Sequence, residues 1–231
     1  MKNGMILAVF AVFLFGAAFA LPLNTTTSVG ATGNTTRITG PTGNATIEGG
    51  NVTEVNVSVN VSTEKWGAFY GNVTGGLVLA QSNTVRPVYK WVWDSGNGTV
   101  CASTGRNFAW SAVVATLAGD IDTAWGFLTG DIDSAANTFN ETASYNFPGA
   151  GTPTGTTVGV NTLDSTDTPT WLTFAVNDGA TTTKNNFAFC VDYSASNTIW
   201  EGTTGGYQVM VATNQTANQF ETYYFFVQLN A

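Results

Sequence analysis

The sequence predicts a mainly β fold, an antiparallel β-sandwich with a short helical insertion over about residues 108–140. Three observations predict it. Charged residues are only 10% of the 231-residue chain, while Thr, Asn, Ser and Gly are plentiful, a profile that suits strands joined by polar turns. Val55, Val57, Val59 and Val61 alternate with Asn56, Ser58 and Asn60, the period of two that gives a strand one apolar and one polar face. Short β-branched and aromatic runs then recur between turn signals as far as a strand at the end of the chain.

The first twenty residues have the order of a secretory signal. Lys2 supplies the positive start, residues 5–15 the apolar run, and Ala18-Phe19-Ala20 the small-residue cleavage site. A transmembrane helix is the competing reading, but the run is short and Leu21-Pro22 stops it. A pilin-type signal, cut before the apolar run and retained as a helix, is disfavoured by the small-residue end and the proline. The expectation is an extracellular or cell-surface chain with no membrane span after cleavage. Residues 21–50 are rich in Thr, Asn and Gly and almost without large apolar side chains. They cannot bury enough surface to offset chain entropy, so they read as a glycosylated linker before a domain over residues 51–231.

Without Lys2 the chain carries six basic and fifteen acidic residues, a net charge of −9. An acidic chain with no basic cluster makes no nucleic-acid partner, because that binding rests on Lys and Arg contacts to phosphate. There is no histidine. This excludes Ser-His-Asp and Cys-His catalysis, His-ligated zinc and C-x-x-C-H haem attachment. Two cysteines, Cys101 and Cys190, read as a disulfide in an exported chain, with two separate buried thiols as the alternative.

Ten N-x-S/T acceptors are spread along the chain: Asn24, Asn34, Asn44, Asn51, Asn56, Asn60, Asn72, Asn97, Asn140 and Asn214. Asn56 and Asn60 lie on the polar face of the valine strand, which predicts glycans on one side and buried valines on the other. Strands are expected next at residues 65–70 and 77–81. A hairpin is expected from residues 87–93 and 99–102, turning at residues 95–98. Trp110, Val113, Val114 and Leu117 have helical spacing. Gly119-Asp120-Ile121-Asp122 recurs eleven residues later as Gly130-Asp131-Ile132-Asp133, and each opens a helical pattern. Asp120 and Asp131 suit helix N-caps, with Asp122 and Asp133 in the first turn. Residues 148–157 read as a loop, and strands resume at 171–176, 187–193, 207–213 and 223–229. On residues 187–193 the apolar face opposes Cys190, so the disulfide is expected on the other face of that strand.

Three constellations could carry chemistry. Asp120, Asp122, Asp131 and Asp133 hold enough oxygen for a calcium site, but neither repeat matches an EF-hand loop, and capping explains the same residues. Paired carboxylates suffice for glycoside hydrolysis, yet nothing fixes two of them across a cleft; Asp164 and Asp167 are equally indecisive. Tyr89, Trp91 and Trp93 alternate onto one strand face that would stack on sugars if exposed, although aromatics in β-domains more often form core. The expectation is therefore a non-enzyme without cofactor or resident metal. Its partners would be copies of itself, joined in an oligomer or filament by strand exchange, or cell-surface glycans. Residues 52–61 would be a better donor strand than the linker, which lacks alternating apolar residues.

The A-x-A signal, the Thr/Asn linker and the strand N-V-S-V-N-V leading into K-W-G-A-F-Y-G-N-V-T-G-G resemble the sequon-rich exported β-proteins of archaeal cell surfaces. The likeness covers residues 1–80. It implies a structural role in a surface layer or an extracellular filament, and it transfers no catalytic residue.

Overall fold

The computed structural model describes residues 44, 46, 48–74, 76–79, 86–92, 98–147, 153–215 and 219–229. The expected signal sequence, nearly all of the expected linker, Asn24, Asn34, Trp93 and Asn97 lie outside them. The architecture is an antiparallel β-sandwich with two short helices, in agreement with the sequence. In chain order the elements are β1 (Trp66–Gly71), β2 (Gly76–Leu79), β3 (Tyr89–Val92), β4 (Gly98–Ser103), β5 (Val114–Ala115), α1 (Ala118–Trp125), α2 (Ala135–Thr138), β6 (Glu141–Asn146), β7 (Thr154–Leu163), β8 (Pro169–Asn177), β9 (Phe187–Asp192), β10 (Asn197–Thr198), β11 (Thr204–Gly205), β12 (Tyr207–Ala212) and β13 (Tyr224–Leu229). The large sheet runs β13-β4-β9-β8-β7-β6, with β5 also pairing β8. A second sheet, β1 with β12, packs over it.

β9 explains how the layers hold together. Its sequence, Phe-Ala-Phe-Cys-Val-Asp, is apolar on both faces, as a strand buried on both sides must be. Phe187, Phe189 and Val191 face a core shared with Trp66 of β1, Val209 and Val211 of β12, and Ile121 and Trp125 of α1. Ala188 and Cys190 face the opposite way, into a core with Phe108, Trp110, Phe174 and Phe226. Cys101 and Cys190 are direct partners in the β4–β9 ladder and form the disulfide, on the face predicted for it. What covers the cystine is the segment around Phe108 and Trp110; α1 and α2 cover the other side.

Four expectations are corrected. The valine segment is not a half-buried strand: residues 51–61 are extended, belong to no ladder and are exposed, Val57 by 86%. Alternation supplies an apolar face, but no strand in the described chain offers its backbone to this segment. Residues 87–93 and 99–102 do not form a hairpin. β3 pairs β2, while β4 lies between β13 and β9. The helix expected at residues 110–117 is a single 3-10 turn, Trp110–Ala112, followed by β5. Trp110 and Val113 point into the cystine core, which the backbone reaches by turning rather than coiling. Residues 154–157 belong to β7 instead of a loop, and neither the rest of β7 nor β6 was foreseen. β7 is Gly- and Thr-rich because neighbours crowd it: a Cβ on Gly155 would lie 2.8 Å from the Tyr145 hydroxyl, and one on Gly159 3.0 Å from Leu172.

Candidate functional site

The two G-D-I-D turns begin alike. Leu117 N–H donates to Asp120 (3.3 Å) and Leu128 N–H to Asp131 (3.2 Å), so each aspartate closes a reciprocal turn with the residue three before it. Neither aspartate is an N-cap, contrary to expectation. Leu117 holds that position for α1 and Ser134 for α2. After the shared turn the two repeats part. Ile121 is fully buried, whereas Ile132 is 92% exposed. The buried carboxylate of Asp122 accepts from the backbone N–H groups of Ala135 (2.6 Å) and Ala136 (3.1 Å), tying α1 to the start of α2. α1 itself ends at Gly126, whose φ of 73° suits a glycine C-cap.

Asp131 and Asp133 instead clasp the base of the exposed segment. Lys65 Nζ lies 2.8 Å from Asp131 and 2.5 Å from Asp133. Thr63 Oγ1 donates to Asp133 (2.6 Å) and the Trp66 indole to the Asp133 carbonyl (2.7 Å). Hydrogen bonds to both carboxylates raise the Lys65 pKa, and the Lys65 hydrogen bond holds Asp131 below its usual range. Burial pushes Asp133 upward, but donation from Lys65 and Thr63 outweighs it and the net direction is down. All four repeat aspartates thus have protein partners, and no group of three or more His, Cys, Asp or Glu suited to a metal occurs among the described residues. Beside the clasp lies an open groove of about 560 Å³ lined by Val61, Lys65, Phe127, Ile132 and Asn214.

Of the sequon asparagines, Asn44, Asn51, Asn56, Asn60, Asn72, Asn140 and Asn214 are described, and all are exposed. Asn214 differs from the rest. Its Nδ2 donates to the Trp125 carbonyl (3.0 Å) and its Oδ1 accepts from Lys184 Nζ (2.9 Å), so a sugar there has to replace the other amide proton. Asp164 binds the Thr166 and Thr168 backbone within its own loop, and those hydrogen bonds, with the Thr166 hydroxyl, lower its pKa. Asp167 lies in the same loop at a φ of 60°.

The aromatic strip is only partly visible. Tyr89 is exposed, and Trp91 pairs Leu77 through its backbone. A second aromatic pair is assembled only by folding. Trp200 and Tyr70 stand edge to face with ring centroids 5.9 Å apart, and Tyr70 Oη donates to Glu201 (3.0 Å). That hydrogen bond raises the Tyr70 pKa. These residues come from distant parts of the chain, and only pairing of β1 with β12 and folding of the β10–β11 hairpin join them.

No family model, curated protein or solved structure matches this chain. Its function has to be read from the geometry above. No helix among the described residues is long and apolar enough to cross a membrane.

Proposed function

We propose that this chain is an exported, glycosylated structural protein of the cell surface or of an extracellular filament, with no enzymatic activity, and that residues 52–61 of one copy add a strand to a sheet of the next. One observation carries the reading. Val52, Val55, Val57, Val59 and Val61 are all more than half exposed on an extended segment whose base is held by Lys65, Asp131 and Asp133. Fully burying a valine side chain is worth about 1.5–3 kcal/mol, so a row of them left in water favours any partner that covers it. Strand addition supplies backbone hydrogen bonds as well as pockets for alternate side chains.

A candidate acceptor edge supports the reading as well. Thr213 N–H donates to the Lys65 carbonyl, which sets the alternation of the β1–β12 ladder. The backbone groups of Trp66, Ala68 and Tyr70 therefore face away from β12, along an edge with no strand partner among the described residues. The alternative, an adhesive module binding cell-surface glycans through Tyr89, Trp91 and Trp93, is supported by the exposure of Tyr89 alone.

Electron microscopy of protein released from the native cell surface tests the reading, with intact glycopeptides weighed from the same preparation. Ordered assemblies are expected from the wild type. Changing Val55, Val57, Val59 and Val61 to serine should leave single folded subunits with an unchanged melting temperature. Assemblies that persist in this variant would rule out strand addition by this segment.

A further inference from the structure

Three features converge on Asn72. The first is local. In Tyr70-Gly71-Asn72-Val73-Thr74 an aromatic stands two residues before the acceptor asparagine. Tyr70 is the last residue but one of β1, and Asn72 follows its final residue, so Gly71 alone separates the two. Both residues are exposed, whereas Phe69, the strand neighbour of Tyr70, packs on Phe225.

The second is Trp200. Trp66, Trp110, Trp125 and Trp171 are buried, but Trp200 stays 45% exposed, with the 39%-exposed Tyr70 as its ring partner among the described residues. The third is the effort spent in holding it there. Buried Gln208 accepts from Trp200 N–H (3.0 Å) through Oε1 and donates through Nε2 to Thr162 Oγ1 (2.8 Å) and the Leu163 carbonyl (3.0 Å). Ile199 plugs the core one residue earlier, and its N–H closes the hairpin on the Thr203 carbonyl (2.8 Å). The Trp200 backbone is thus fixed by a buried polar network, which sets where its exposed side chain leaves the chain. The corner next to it is tight as well. Gly206 N–H donates to the Gly71 carbonyl (2.8 Å), and a Cβ on Gly206 would lie 3.0 Å from Asn72 Oδ1.

We infer that Tyr70 and Trp200 form a platform on which the N-linked glycan of Asn72 folds back. A pyranose ring has one face made of C–H groups, which carry the partial positive charge that an aromatic face attracts. The Glu201 carboxylate at the platform's rim is an acceptor for sugar hydroxyls. The ligand class is therefore the innermost pyranose units of an oligosaccharide carried by the chain itself. The inference rests on the reading of this chain as exported and glycosylated.

A thermal cycle on full-length protein from a glycosylating host tests it. The four proteins are the wild type, Asn72→Gln, Trp200→Ala, and the two changes combined. Loss of the Asn72 glycan should lower the melting temperature by about 2–4 °C in the wild-type background, the shift that ~1 kcal/mol produces in a chain of this size. In the Trp200→Ala background the same loss should have no measurable effect. Tyr70→Phe, which keeps the ring, should retain the full glycan effect. Equal losses in both backgrounds with Asn72 occupied would overturn the platform. Asn72 bare while other sequons carry sugar would also overturn it and leave the glycoprotein reading standing. All sequons bare would remove both.

Discussion

β9 and residues 52–61 are both short, extended and rich in apolar side chains at alternate positions, yet β9 is enclosed on both faces and the other segment is open on both. The difference lies outside the strands. β9 has β4 and β8 as ladder partners and a packed layer on each side. Residues 52–61 have the pattern without the partner. Alternation shows which side chains would share a face; burial depends on whether another backbone completes the sheet.

The comparison breaks most readily at the core. Phe189→Ala should lower unfolding stability by about 3–5 kcal/mol, while Val57→Ala should change it by less than about 0.5 kcal/mol, both read from denaturant titration of dispersed subunits. Similar losses at the two positions would mean the valine segment packs within its own subunit. Next in size is the cystine that staples β4 to β9. Replacing Cys101 and Cys190 together by serine should cost about 2–4 kcal/mol, with the same measurement showing whether the central ladder depends on it. Asp122→Ala comes third, at about 1–3 kcal/mol. It strands two N–H groups at the start of α2, and faster amide exchange at Ala135 and Ala136 would localise the loss.

The smallest effect is at the clasp. Asp131 and Asp133 are held below the usual carboxylate range, so the stability they contribute is complete above their unfolded values, near 4. It is lost as pH falls through the lower folded values. The base of the exposed segment should accordingly stay ordered at pH 5 and loosen only in stronger acid, seen as a change in the environment of Trp66. Asp133→Asn should move that loosening to higher pH. A transition already complete at pH 5 in the wild type would contradict the clasp.

Much of the sandwich was legible because its strands carry their own signals. β8, β9, β12 and β13 combine aromatic or β-branched runs with flanking turns, and the face opposed to Cys190 followed from period two. β7 was illegible because Gly155 and Gly159 are small to fit Tyr145 and Leu172, a demand set by neighbours. Trp110 misled for a related reason: its spacing with Val113 is helical, but a 3-10 turn with an extended exit also buries both. At the site, local spacing exposed the repeated aspartates but not their diverging partners. Lys65 lies 66 residues before Asp131, and only tertiary folding brings them together. The pairing of Tyr70 with Trp200 was hidden the same way.

Amide hydrogen exchange at Val55, Val57, Val59 and Val61, measured on dispersed subunits and again on assembled material from the cell surface, bears most directly on strand donation. Free subunits should exchange these amides at nearly the unprotected rate, and assembly should slow them by at least about a hundredfold, the mark of a ladder supplied by a neighbour. Rapid exchange in both states would show that this valine row never gains a partner.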